Sequence, residues 1–104
     1  MAPIPIQTAL LFALLRHGEA YGLQLIDRIN EDTGRRLEFT QGVVYPALHK
    51  LEREGFVKTR KSEPLPERGG RPRIYYQLTA SGQAAAREHL SIINGLTEGL
   101  VHAN

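Results

Sequence analysis

The hydrophobic period of the chain changes at Gly55, and that change restricts the fold more than any other feature of the 104 residues. Upstream, apolar residues recur at helical spacing. Downstream, Phe56 to Ser62 alternates loosely, and Arg73 to Thr79 is a β-branched and aromatic run holding Ile74, Tyr75, Tyr76 and Leu78. Between the two lies Glu63-Pro64-Leu65-Pro66-Glu67-Arg68-Gly69-Gly70-Arg71-Pro72, whose prolines and glycines leave only a loop. The spacing predicts a β-hairpin with a long basic tip.

Three helices are expected before it. From Ile6 to Arg16 nearly every position is apolar (Ala9, Leu10, Leu11, Phe12, Ala13, Leu14, Leu15). A helix apolar all round must be covered on most sides, and in so short a chain the surplus face, with Leu11 and Leu15, points to a partner chain. Gly18 suits its C-terminal stop. A second helix spans Tyr21 to Thr33, its inner face holding Leu23, Ile26 and Ile29, or Leu25 and Ile29, and its outer face Asp27, Arg28, Glu31 and Asp32. A third runs from an N-cap at Thr40 to about Glu54, anchored by Val44, Ala47, Leu48 and Leu51 and stopped by Gly55. Gln41, Tyr45, His49, Lys50 and Arg53 lie on its opposite face. Pro46 sits inside it, where its ring meets the carbonyl of Gly42, a residue free enough to absorb the distortion. After the hairpin, Thr79 is a fitting N-cap for a last helix from Ala80 to about His102. Its apolar positions Ala86, Leu90, Ile93, Leu96, Leu100 and Val101 outnumber what a lone terminal helix needs.

Three helices and then a basic hairpin is the order of a winged helix-turn-helix, in which the third helix enters the major groove N-terminus first. The expected fold is therefore mainly α with a small β-hairpin. A winged-helix DNA-binding domain occupies residues 1–79 and a C-terminal dimerisation helix residues 80–104. Charge agrees. The net +2 divides into −2 over residues 1–34, +5 over 35–80 and −1 over 81–104. Within the basic stretch, arginines and lysines alternate with Tyr, Gly and Pro, the pattern of a nucleic-acid footprint rather than a merely solvated face. Arg68, Arg71 and Arg73 on the wing would meet phosphates or the minor groove, while Tyr76 shares a strand face with Ile74 and Leu78 and belongs to the core.

Other chemistries find little support. No Cys is present, which excludes a disulfide scaffold, a thiolate nucleophile and Cys-ligated metal. His17, His49, His89 and His102 are scattered without ligand-like spacing, and no nucleophile–base pairing suggests an enzyme. No cofactor is expected. The apolar run Thr8 to Leu15 is far below the roughly 20 residues that span a bilayer, and no Lys or Arg precedes it as in a secretion signal. The expectation is a cytoplasmic protein without membrane contact.

Two motifs sharpen this. Gln41-Gly42-Val43-Val44-Tyr45-Pro46-Ala47-Leu48-His49-Lys50-Leu51-Glu52-Arg53-Glu54-Gly55 resembles the recognition-helix signature of the PadR-type transcriptional regulators. Gly69-Gly70-Arg71-Pro72-Arg73-Ile74-Tyr75-Tyr76-Gln77-Leu78-Thr79-Ala80-Ser81-Gly82 resembles that family's wing and following helix start. The likeness extends over about residues 6 to 102 and fits the compact branch with one C-terminal helix. The chain departs from the pattern in Ala20-Tyr21-Gly22-Leu23-Gln24 at the opening of the second helix and in Val43, where the family often has Thr. The resemblance implies a homodimeric, repressor-like regulator that binds double-stranded DNA. Thr40, Gln41, Tyr45, His49, Lys50, Arg53, Lys61, Arg68, Arg71 and Arg73 would touch DNA. Leu11, Leu15, Leu90, Ile93, Leu96 and Leu100 would form the dimer interface. Some relatives hold flat hydrophobic compounds between dimer helices; this chain has no Trp and no aromatic residue after Tyr76, so a small hydrophobic effector would need an aliphatic pocket. The competing readings are a winged-helix protein-interaction module, which would expose an apolar patch on the third helix, and a ligand sensor without its own DNA target.

Overall fold

The computed structural model describes residues 4–63 and 72–100. Its elements run α1 (Ile6–His17), β1 (Ala20–Tyr21), α2 (Gly22–Asp32), α3 (Gln41–Arg53), β2 (Val57–Lys61), β3 (Ile74–Leu78) and α4 (Ala80–Thr97). The expected class holds: mainly α, with a small antiparallel sheet.

α1 is the axle. It packs against α2, α3, α4 and β3, which is why its sequence is apolar on nearly every side. Ala9, Leu10, Leu11, Ala13 and Leu14 are all buried. Leu11, expected at a dimer interface, is only 3% exposed in the single chain and belongs to the chain's own core. The four elements packed on α1 leave Leu11 almost no surface for a partner. Leu15 is half-buried at the rim of the same core. Leu10, Leu25, Leu48, Leu51 and Val44 are the largest fully buried side chains. Each contributes about 1.5–3 kcal/mol of burial, a large share of the roughly 5–15 kcal/mol that holds an ordinary domain together.

α2 begins one residue later than the period suggests. Ala20 and Tyr21 form a short strand that pairs with Tyr76 and Tyr75 of β3, so the hairpin is part of a three-stranded sheet in the order β1-β3-β2. Gly18, at φ 80°, turns the chain out of α1 and into that strand, and Gln24 Oε1 accepts the Tyr21 N–H at 3.2 Å as α2 starts. Leu25 and Ile29 are the buried residues of α2's apolar face, while Leu23 is exposed. At the far end Asp32 ties α2 to α1. Its carboxylate lies 2.7 Å from His17 Nε2 and 3.5 Å from Arg16 Nη1.

In the hairpin, Val57 lies opposite Leu78 and Lys61 opposite Ile74. Tyr76 is 3% exposed and faces the helices. Burial holds its phenol above the usual tyrosine range, and the nearby Tyr45 and Glu52 push it the same way.

A knot of hydrogen bonds joins the exit of α3 to the start of α4. Gly55, at φ 81°, lets the chain leave α3. The Thr79 N–H then donates to the Phe56 carbonyl at 3.0 Å and its hydroxyl to the Gly55 carbonyl at 2.6 Å. The Thr79 hydroxyl oxygen accepts the Gly82 N–H at 3.0 Å, so Thr79 caps α4 as expected. Only Gly82 and Ala86 of α4 are buried. The helix ends at Thr97 rather than near His102, and Gly99 follows at φ 85°. Val101 and His102 lie outside the described residues. No described helix is long and apolar enough to cross a membrane.

Candidate nucleic-acid interface

α3 has two unlike faces. Val44, Ala47, Leu48 and Leu51 are buried against the core. Gln41, Gly42, Val43, Pro46, His49, Lys50 and Arg53 are exposed. Thr40 takes the N-cap position with extended backbone, and its carbonyl accepts from Val43 and Val44, but its side chain makes no capping bond. Lys50 and Arg53 stand in the last turn, where cations complement the helix dipole.

Tyr45 is only half exposed. Its ring lies against α2 at Gly22, so closely that a Cβ there would sit 2.5 Å from the Tyr45 hydroxyl. Gly22 is thus the residue that lets α3 and α2 approach. Between α2, α3 and the base of the hairpin runs a groove of about 510 Å³. It brings Tyr45, His49 and Arg73 together, with Asp27 on the α2 wall. The groove is therefore bipolar rather than uniformly cationic.

The outer face of the sheet carries an arrangement that sequence reasoning missed. Tyr21 of β1 and Tyr75 of β3 meet edge to face with ring centroids 5.6 Å apart. Arg60 lies over Tyr75 at 4.5 Å and Arg73 over Tyr21 at 4.3 Å. Glu19 holds the Arg60 guanidinium by two bonds of 2.7 Å. Those hydrogen bonds and the charge of Arg60 keep the Glu19 carboxyl below the usual range, and Glu19 raises the Arg60 guanidinium in turn. Exposed pairs of this kind add little stability, but the ladder of rings and cations tacks β1 to the hairpin and so fixes how the arm leaves the body. Arg73 is held on a ring as well as lining the groove. Sequence gave a weak hint of the ladder, since the tyrosines at 21 and 75 and the arginines at 60 and 73 fall on no common local period.

Lys61, at the outer end of β2, is exposed, as is Lys58, which sequence analysis had not assigned a role. Arg68 and Arg71 lie outside the described residues. Leu90, Ile93 and Leu96 are exposed along α4 and Leu100 in the turn after it, with Leu96 at 75%. An apolar cavity of about 170 Å³ opens between α1 and α2, lined by Ala9, Phe12, Ile29 and Leu37 with Asp32 and Arg16 at its polar edge. Among the described residues no group of three or more His, Asp or Glu could hold a metal ion.

Three helices and a three-stranded sheet, with a fourth helix on α1, define a winged helix. A winged-helix DNA-binding protein from STIV has the same fold, with a TM-score of 0.70 at 18% identity over 88% of this chain and 90% of that one. The family model described as "Transcriptional regulator PadR-like family" matches residues 11–88, and the chain belongs to that family. A PadR family transcriptional regulator from Eggerthella lenta is 26% identical, with a TM-score of 0.69, over 92% of this chain and 79% of that one. Bacillus subtilis PadR, crystallised in complex with operator DNA, is 29% identical with a TM-score of 0.70. The match covers 82% of this chain but 46% of that protein, so this chain spans about half of its length. No curated protein matches the sequence.

Proposed function

We propose that the protein is a sequence-specific double-stranded DNA-binding regulator, repressing transcription as a homodimer on an inverted-repeat operator. The observation that carries this reading is α3: its exposed face is polar and basic, from Gln41 at the tip to Lys50 and Arg53, and it stands beside a hairpin bearing Lys58 and Lys61. An interaction module would expose an apolar patch there, and α3 exposes one large apolar side chain, Val43. The operator complex of the Bacillus subtilis relative supports the same reading. In this docking Gln41 reads an adenine edge with its amide, a pairing worth roughly 1–3 kcal/mol of discrimination. Tyr45, His49 and Arg73 line the facing groove. Thr40, Lys50, Arg53, Lys61, Arg68 and Arg71 hold phosphates and carry little sequence information.

Leu90, Ile93, Leu96 and Leu100 are the surface on which the two copies meet, with Leu15 at its edge. Apolar area left this open on a terminal helix favours covering by a second chain. A small aliphatic effector would fit the cavity between α1 and α2. No chemistry by the protein itself enters the reading, and its setting is the cytoplasm.

Selection of duplexes from a random oligonucleotide pool tests the reading. A two-fold symmetric consensus with half-site centres about one helical turn apart, or a multiple of it, is expected. An asymmetric consensus would refute the symmetric dimer, and recovery of no consensus would refute sequence-specific binding.

A further inference from the structure

The first turn of α3 carries two features that the fold does not need. Val43 is 45% exposed. Its β-branched side chain contributes nothing to the core and is a weaker helix former than the residues that usually fill exposed positions. Gly42, beside it, has ordinary helical backbone. A Cβ there would meet only the Thr40 hydroxyl oxygen, at 3.8 Å. Glycine in a helix costs about 0.5–1 kcal/mol relative to alanine, and although Pro46 meets its carbonyl, Gly42 is not among the glycines held at positive φ, so its backbone does not demand the residue. One turn further along the same exposed face stands Pro46, compact and without an N–H.

Together these residues make the tip of α3 slim and locally apolar. A short Val side chain touches a base edge only if the helix backbone comes close to it, and the missing Cβ at Gly42 permits that approach. The major groove offers one apolar feature on its base edges, the C5 methyl of thymine. We propose that Val43 reads thymine, its two methyl groups meeting the 5-methyl of one thymine in each half-site. The inference rests on the DNA-binding reading above and adds to it a contact that carries no hydrogen bond. Gln41 and Val43 then flank Gly42 as complementary readers, one polar and one apolar.

The test replaces thymine by deoxyuridine, which removes one methyl and leaves base pairing intact. The full chain is titrated against a duplex selected from the random pool, with symmetric thymines replaced position by position. Burying a group the size of a methylene is worth a factor of about four in affinity. Wild type should therefore lose about fourfold per half-site at one thymine position. Val43→Ala should bind the thymine duplex correspondingly less well and be indifferent to uracil at that same position. Indifference of the wild type to uracil at every position would overturn the proposal and leave DNA binding standing. So would a Val43→Ala variant that kept its full sensitivity. The uracil scan on wild type needs no variant, so a misfolded Val43→Ala would not rescue the idea. Absence of saturable binding to any duplex at low salt would instead overturn the DNA-binding reading, and this one with it.

Discussion

The sharpest consequence of the junction between α3 and α4 is that one substitution should have opposite effects at two glycines. At Gly82 an added Cβ would be driven into the Phe56 carbonyl oxygen, with the Leu78 side chain 3.1 Å away. That oxygen is backbone, already accepting the Thr79 N–H, so it cannot swing aside as a side chain would. Overpacking of this kind costs about 1–3 kcal/mol, and disturbing the Thr79 cap adds about 1 kcal/mol. The better helix propensity of alanine returns at most about 1 kcal/mol. The net for Gly82→Ala is a loss of about 1–3 kcal/mol. Gly42→Ala places the same methyl in ordinary contact with the Thr40 hydroxyl oxygen alone, at 3.8 Å, and should gain about 0.4–1 kcal/mol. In a domain of this size 1 kcal/mol shifts Tm by about 4–8 °C. Gly82→Ala should melt about 4–24 °C below wild type, and Gly42→Ala a few degrees above it. Urea titration and thermal melts followed by circular dichroism, all at one protomer concentration, read both. Gly82→Ala within 0.5 kcal/mol of wild type, or equal shifts at the two sites, would refute the reasoning.

Three further outcomes are expected. Leu96→Asp, in the proposed interface, should give monomers with weak DNA binding, and a wild-type mass near 11.6 kDa by light scattering at micromolar concentration would refute the dimer. Lys50→Ala should flatten the log–log salt dependence of DNA binding by about one contact per subunit and weaken all sequences alike, whereas Gln41→Ala should relax preference at one base pair per half-site; a Gln41→Ala variant with unchanged preference would refute the docking. Tyr76 has its phenol raised by burial, so the folded state resists ionising it. Its stabilising contribution is complete below the ordinary tyrosine value of about 10 and is lost as pH rises past it, and Tyr76→Phe should move the midpoint of alkaline unfolding upward.

Much of this architecture is legible in the sequence where the signal is local. Gly55 and Thr79 bracket the strands because each acts within a few residues, one by its backbone freedom and the other by its hydroxyl. The two faces of α3 follow from helical spacing alone. What escapes is what depends on distant partners. Ala20 and Tyr21 are too few to show a period, and they become a strand only because β3 offers them an edge. Leu11 shows the other limit. A helix apolar all round announces that it will be covered but not whether its own chain or another does so, and here α2, α3, α4 and β3 cover it. Nor does the basic run Lys58 to Lys61 disclose that Arg60 is already engaged by Glu19, which lies 41 positions away in sequence.

The pairing of Ala20 with Tyr76 also sets a schedule for folding. More than half of the chain lies between the two, so the sheet has a high contact order and cannot close until β3 exists. At a synthesis rate of about 5–20 residues per second, the first strand waits roughly 3 s or longer for its neighbour. During that wait the apolar surface of α1 lacks β3 and α4, two of the elements that finally enclose it. No N-terminal portion is therefore a finished unit. Truncation before β3 would leave a fragment with an exposed axle and an unpaired edge, open to aggregation and proteolysis.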